Sequence, residues 1–461
     1  MTRRFLLGLA FLSLAATAHA AEKRPNILYI LADDWGWGDL GCYGNPRLKT
    51  PNLDALARQG TLLTQYYQCG SVCSPSRTAQ ITGRYPSRFG VHGHFATNEQ
   101  NQKRGMPNWL DPEAVTLAKL LKTQGYTTAH FGKWHLGGVG APLPDRYGYD
   151  VAKIGAAGPV TDSSFGTVNS RPRSTELIVD ETIKFLEQIK AKPFFAQAWL
   201  LDTHAILNPS PEALAAYPEL QVPGIPFTSP ARVYAAAATA ADAQLGRLFK
   251  KLDELGLREN TIVIFTSDNG PEAIEIANAS HSGVGSPGPF RGRKRSLYEG
   301  GVRLPFIVRG PGVPAGAVND AIVAGVDILP TLAAISGATV PESLALDGED
   351  RASVLRGKAP ERTRPLHWEW RFGIAGHPWN RSPILSIREG RWKLLLNPDG
   401  SRVELYDIPK DPGESDNVAD QHPELVSSLS AQALAWQKTL PPGPFDPTAG
   451  QNAYPWPKAT P

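Results

Sequence analysis

The run PNILYILADD is unbroken apolar from Ile27 to Leu31 and stops at two carboxylates, Asp33 and Asp34. A β-rich run without alternation predicts a strand buried on both faces of a parallel sheet, with the aspartates at its C-terminal end. Helical and strand patterns then take turns. Helices are predicted in PNLDALARQG, AVTLAKLLKTQG, STELIVDETIKFLEQIK and from Ala231 to Leu255; strands are predicted around Leu62 and in TTAHF, PFFAQAWL and TIVIFTSD. This alternation predicts an α/β fold whose large, mostly parallel sheet is covered by helices on both faces. Two stretches rich in Gly, Pro and Ser, Gly137 to Ser174 and Ile274 to Ser296, interrupt the rhythm and read as irregular binding loops.

Beyond about Gly357 the pattern shortens to LHWEWRF, PILSIREG and RWKLLLN, with an Asp399-Gly400 turn before VELYDI and one helix around Pro423 to Lys438. A small antiparallel sheet packed by one helix is expected there, followed by an irregular tail rich in Pro and Gly from Pro441. The start, MTRRFLLGLAFLSLAATAHA, runs from Arg3 and Arg4 through a short apolar stretch to a small-residue site at Ala18-His19-Ala20. It reads as a cleaved export signal, with the arginine pair hinting at the twin-arginine route, because the apolar part falls short of the roughly 20 residues that span a bilayer. The expected division is a signal at 1–20, a catalytic α/β domain at 21–356, a C-terminal α+β subdomain at 357–440 and a tail at 441–461. The mature protein is expected to be periplasmic or secreted, without stable membrane insertion.

Charge narrows the partners. Loss of the first twenty residues leaves 45 basic against 44 acidic side chains. A near-neutral chain carries no footprint for nucleic acid or an anionic membrane, so an anionic substrate has to be caught locally. Cys42, Cys69 and Cys73 are odd in number, which leaves at least one thiol over in an oxidising compartment.

Candidate chemistry gathers at strand ends. Asp268 and Asn269 follow TIVIFTS as Asp33 and Asp34 follow the first strand, and four oxygen donors at one sheet edge suit a hard cation, Ca²⁺ or Mg²⁺. Taken singly, each pair fits a helix or turn cap equally well. Lys133 and His135 in GKWHLG share a side in extended backbone, and His204 follows PFFAQAWL. Lys294, among Arg291, Arg293 and Arg295, reads by itself as part of a solvated loop. GVGSPG at Gly283 to Gly288 matches a dinucleotide fingerprint only formally, since it follows no strand and contains a proline. In SVCSPSRTAQITGR, Cys73 is predicted at a helix start with Arg77 one turn on, where dipole and guanidinium favour an anion and lower a thiol pKa. An anion site, a redox cysteine, a Cys69–Cys73 disulfide and a share in a metal site all remain open from these residues.

CSPSRTAQITGR also resembles the signature of the type I sulfatases of the alkaline phosphatase superfamily. PNILYILADDWGWGD, GKWHLG, TSDNG, KRSLYEGG and WKLLL followed by ELYDIPKDPGE are similar to segments of that family in the same order. The look is loosely nearest to bacterial polysaccharide sulfatases and N-acetylgalactosamine 6-sulfatase-like members. The resemblance implies that a maturating, formylglycine-generating enzyme converts Cys73 to Cα-formylglycine. It implies Ca²⁺ bound by Asp33, Asp34, Asp268, Asn269 and the modified Cys73, with Mg²⁺ possible. Arg77 and Lys133 would stabilise the formylglycine, His135 would hydrogen-bond it, and His204 and Lys294 would face the sulfate, a protonated His204 serving the leaving oxygen. Arg293 and Arg295 flank Lys294 where the family commonly has small residues, which fits either polyanionic substrates or plain solvation. The implied function is exo-type desulfation of a sulfated carbohydrate. Its rivals are a phosphate or phosphonate ester hydrolase of the same superfamily and a non-catalytic glycan binder with unmodified Cys73. His92, His94, Trp109, Trp368 and Trp370 are candidates for the sugar pocket, or else core residues.

Overall fold

The computed structural model describes residues 24–155, 168–189, 192–220, 228–273 and 280–452. The signal reading at 1–20 and the last part of the tail lie outside the described residues. The larger sheet contains β1 (Asn26–Ala32), β2 (Thr61–Tyr67), β3 (Thr127–Gly132), β4 (Val151–Ile154), β5 (Phe194–Trp199), β6 (Thr261–Ser267), β7 (Arg303–Arg309), β8 (Ala317–Asn319) and β9 (Val323–Ala324). Its order is β4-β3-β5-β1-β6-β7-β2-β8, with β9 also beside β2. β1 sits between β5 and β6, parallel to both, and all seven of its residues are buried. That placement is why its sequence shows no alternation: both faces are covered, one by a cluster around Tyr29 and Leu31, the other by one around Leu28 and Ile30.

Helices Pro51–Arg58 and Ser174–Ile189 fall within the segments whose apolar spacing predicted helices, Pro230–Glu254 is displaced by one residue from the expected Ala231 to Leu255, and Cys73–Thr82 begins at the expected helix start. Two features escape the expected pattern. β7 pairs antiparallel with both β6 and β2, so the sheet is mixed at that point. β4 lies inside the stretch expected to be irregular; it is a four-residue strand that among the described residues pairs with β3 alone, too short to leave a period-two signature.

The second sheet is antiparallel, in the order β10 (Leu366–Glu369), β11 (Leu385–Glu389), β12 (Trp392–Leu396), β13 (Glu404–Asp407). Helix Pro423–Lys438 packs on it through Leu429 and Ala433. Residues 441–452 form no helix or strand, yet they fold back: Asp446 N donates to Arg371 O at 2.8 Å, and the Arg371 guanidinium lies 4.9 Å from the Phe445 ring centroid.

A buried ionic cluster joins the two sheets. Lys393 of β12 lies 2.9 Å from Glu299 and 2.9 Å from Glu414, with all three side chains fully buried. Glu299 also accepts from Tyr67 Oη of β2 at 2.7 Å and from Arg303 of β7 at 3.3 Å. Lys393→Met would leave two buried carboxylates short of their shared cation. The expected loss is about 3–5 kcal/mol, read as a fall in the urea midpoint at unchanged slope; an unchanged midpoint would show the cluster to be dispensable.

Candidate active site

The C-terminal ends of β1 and β6 place Asp33, Asp34, Asp268 and Asn269 side by side. All four are at most 1% exposed. Asp34 is held in left-handed backbone at φ 61°, and its N–H donates to Asp268 Oδ1 at 3.2 Å. Cys73 opens the helix Cys73–Thr82 beneath them, with Pro75 in the first turn, where a missing N–H costs nothing. Ligand atoms of Asp33, Asp34, Cys73 and Asp268 all lie within 4.8 Å of one another.

Cations enclose this acidic nest. Arg77, fully buried and 4.8 Å from the Trp199 ring, donates to Asp268 Oδ2 from Nη2 at 2.7 Å and from Nε at 3.1 Å. Lys133 Nζ reaches Asp33 Oδ2 at 2.5 Å and Cys73 Sγ at 3.3 Å. Lys294 Nζ donates to Asp34 Oδ2 at 2.7 Å, and His204 Nε2 stands 4.0 Å from the same oxygen. Burial alone would raise the Asp33 carboxyl, but Lys133 leads a group of cations that hold it well below the usual carboxylate range. Despite burial, Asp34 keeps Lys294 above its ordinary value.

Two expectations need correction. A helix N-terminus was expected to lower the Cys73 thiol; burial, with Asp268 next to it, pushes the thiol far up instead. The cysteine is therefore a poor thiolate, and no disulfide forms, since Cys42, Cys69 and Cys73 are all free. His204 was expected to be protonated. Burial and the neighbouring Lys133 push it down to about 3, and Nδ1 is committed to Ala205 O at 2.7 Å, so Nε2 carries the lone pair.

His135 bonds Phe95 O through Nε2 at 3.1 Å, which leaves Nδ1 as the acceptor; that atom is buried without a hydrogen-bond partner. Asn269 presents a second orphan. Its Nδ2 donates to Asp34 Oδ1 at 2.7 Å while its Oδ1 is buried and unpartnered. Three carboxylates and an unsatisfied amide oxygen form an all-oxygen donor set of the kind hard cations take.

The chain belongs to the sulfatase family. The model of that family matches residues 25–338, and the C-terminal model of N-sulphoglucosamine sulphohydrolase matches 290–438. Human arylsulfatase A is 32% identical over 91% of this chain and 89% of its own length. Canine N-acetylgalactosamine-6-sulfatase is 34% identical over 95% and 90%. The crystal structure of Ps i-CgsB in complex with k-i-k-neocarrahexaose superposes with a TM-score of 0.75 at 25% identity, covering 90% of this chain and 93% of that one. The protein is thus a type I sulfatase of alkaline phosphatase-like fold, a sulfuric ester hydrolase.

Sequence reasoning missed Glu272, three residues past Asn269. It accepts from both Arg295 Nη1 and Nη2 and lies 3.5 Å from Lys294 Nζ, so it braces the loop that carries both cations. Arg293 is a brace too, bonding Glu272 O and Gly283 O at 2.8 Å each. Among the proposed sugar-pocket residues, Trp368 is a core residue. It is 1% exposed, with its indole N–H on Gln68 O at 2.7 Å, because its position on β10 faces the larger sheet. His92 is equally interior, 3.5 Å from Glu369. Trp109 is half-buried in a bridge with Gly137. His94 and Trp370 line one cavity beside the centre, and the His94 ring lies 6.2 Å from that of His135.

Proposed function

We propose that this sulfatase removes sulfate from a sulfated carbohydrate by exo-type desulfation, using a formylglycine made from Cys73. The observation carrying this reading is the meeting of Cys73, a poor thiolate where it stands, with Asp33, Asp34, Asp268 and the orphaned Asn269 oxygen inside a ring of cations. The relatives named for N-acetylgalactosamine-6-sulfatase and the oligosaccharide complex support a carbohydrate substrate. A maturating enzyme would oxidise Cys73 before or during folding, since the folded thiol is buried.

Asp33, Asp34, Asp268 and Asn269 would hold Ca²⁺, or Mg²⁺, joined by the modified side chain at position 73. The ion supplies Lewis-acid charge that favours an ionised nucleophile and offsets charge on the sulfuryl oxygens. The hydrated aldehyde supplies an oxygen for attack on sulfur and a second hydroxyl, whose deprotonation returns the aldehyde and releases sulfate. Arg77 and Lys133 hold the residue-73 oxygens. Lys294 and His204 face the ester, whose own negative charge offsets the repulsion that keeps His204 neutral and lets it protonate the leaving oxygen. His135 takes the second hydroxyl's proton on Nδ1, the nitrogen left without a partner. We further infer an exported protein, divided at about residues 356 and 357 into a catalytic domain and a C-terminal subdomain; among the described residues no helix is long and apolar enough to cross a membrane.

Two measurements test this function. The Cys73 peptide from the native host is expected about 18 Da lighter than its sequence, the exchange of a CH₂SH group for a CHO group; an unmodified peptide would leave a non-catalytic glycan binder. The mature enzyme is expected to turn over an aryl sulfate faster than the matching aryl phosphate, and the reverse order would assign it to phosphate or phosphonate esters.

A further inference from the structure

Beside the catalytic centre lies a cavity of about 480 Å³, within the about 300–1,000 Å³ usual for ligand clefts. His94, Trp370 and Phe372 line it together with Arg104, Arg295 and Asp446. It adjoins the centre through its lining: the His94 ring lies 6.2 Å from that of His135, and Arg295 follows Lys294 in the chain and shares Glu272 with it. The far wall comes from tail residues 444–447, so both parts of the chain shape it.

Its charge is lopsided. Arg295 is answered by Glu272, and Asp446 turns its Oδ1 to Thr448 N and Oγ1 at 2.7 Å each. Arg104 has no such answer. It donates from Nη1 to His94 O at 3.1 Å and rests 5.6 Å from the Phe372 ring, and among the described residues no carboxylate lies within ion-pair distance of it. The same local field shows elsewhere: after burial, Arg104, Lys294, Arg295 and Lys133 together push His94 down to about 3. Lys103, Arg104 and Arg295 line the cavity against one lining carboxylate, Asp446; Lys103 is paired with Glu99 and Arg295 with Glu272, which leaves Arg104 as the cation that favours an incoming anion. The aromatic walls, Trp370 and Phe372, suit a sugar ring.

We propose that this cavity binds a second anionic group of the carbohydrate, a uronate carboxylate or a further sulfate, which pairs with Arg104 while the scissile sulfate occupies the catalytic centre. The proposal rests on the sulfatase reading of the centre and adds a specificity-determining residue to it. It makes the preferred substrate at least doubly charged, on a protein whose overall charge is close to neutral.

Competition against hydrolysis of 4-nitrophenyl sulfate tests it, with three disaccharides alike except in charge: one sulfate only, one sulfate plus a uronate carboxylate, and two sulfates. A doubly charged disaccharide is expected to inhibit about 10- to 100-fold more tightly than the singly charged one, with Arg104→Gln erasing the difference and Arg104→Lys restoring part of it. Whichever doubly charged compound shows the larger drop on Arg104→Gln identifies the group bound. Equal inhibition by all three on the wild type, or an equal loss for all three in the variant, would overturn the proposal. Were 4-nitrophenyl sulfate not hydrolysed at all, the sulfatase reading would fall, and calorimetric titration of the same disaccharides would still decide the cavity by the same comparison.

Discussion

Cys73→Ala is expected to abolish sulfate-ester hydrolysis, a loss of about 10⁴-fold or more, while leaving the protein folded. The size of the effect follows from the proposed mechanism, in which the nucleophile is made from this side chain; with it gone, Arg77, Lys133 and Lys294 would still bind the ester but nothing would attack sulfur. The mildness for the fold follows from what Cys73 touches. Its Sγ makes only long polar contacts, 3.4 Å to Asp33 Oδ1 and 3.3 Å to Lys133 Nζ, and both partners keep the 2.5 Å contact to each other. The helix it begins keeps Pro75 and the Gly83 cap. Turnover of 4-nitrophenyl sulfate beside a thermal melt checks both halves; full activity would remove Cys73 from the mechanism, and an unfolded variant would show that the thiol holds the site together.

Asp268→Ala is expected to lose bound Ca²⁺, activity and stability at once. Asp268 is the main partner of Arg77, whose guanidinium is fully buried and has Asp33 only at 3.9 Å as a second carboxylate. Removing one member of a buried ion pair costs about 3–5 kcal/mol, because the other charge stays behind undissolved. The proposed cation would lose one of three carboxylate donors, and the N–H of Asp34 loses its acceptor, so the left-handed φ of Asp34 loses a tether. Metal content after dialysis, urea unfolding and aryl sulfate turnover read the three losses separately. Retained metal with full activity would exclude Asp268 from the cation site. Asp268→Asn should recover more stability than activity, since an amide oxygen can still accept from Arg77 but brings no charge.

Much of this molecule is legible in one dimension. β1 and β6 announce themselves as apolar runs without alternation, and β5 nearly so apart from Gln197, because burial on both faces removes any reason to alternate. The polar residues ending those runs lie at the sheet edge where open α/β folds bind ligands, so the Asp33–Asp34 and Asp268–Asn269 pairs could be placed together before any coordinates. β7 could not be placed by the same logic: the LPFIV centre of RLPFIVR is as apolar as the strands of the parallel part of the sheet, and strand direction leaves no mark on composition.

Protonation states were the least legible feature. Cys73 at a helix start and His204 at a strand end carry ordinary local signals for a lowered thiol and a charged imidazole. Burial and charges from residues distant in sequence reverse both. Trp368 and Trp370, two apart on one run, look interchangeable as sugar platforms. Both are buried in one core cluster; the first packs with its indole N–H on Gln68 O, while the second, past the end of β10, also lines the cavity.

By itself, then, the order of residues determined the α/β architecture, the small C-terminal sheet and the strand-end pairs Asp33–Asp34 and Asp268–Asn269, because hydrophobic period and strand-end position are local properties; Lys294, locally a solvated loop, joined the set only through the family resemblance. Only the tertiary structure decided which charges meet. It brought Lys133 to Asp33 and Lys294 to Asp34, left Asn269 Oδ1 and His135 Nδ1 without partners, and set Arg104 and Arg295 around one cavity. Those outcomes depend on distances between segments up to 260 residues apart, and electrostatics in a buried site is governed by distance and desolvation rather than by neighbours in the chain.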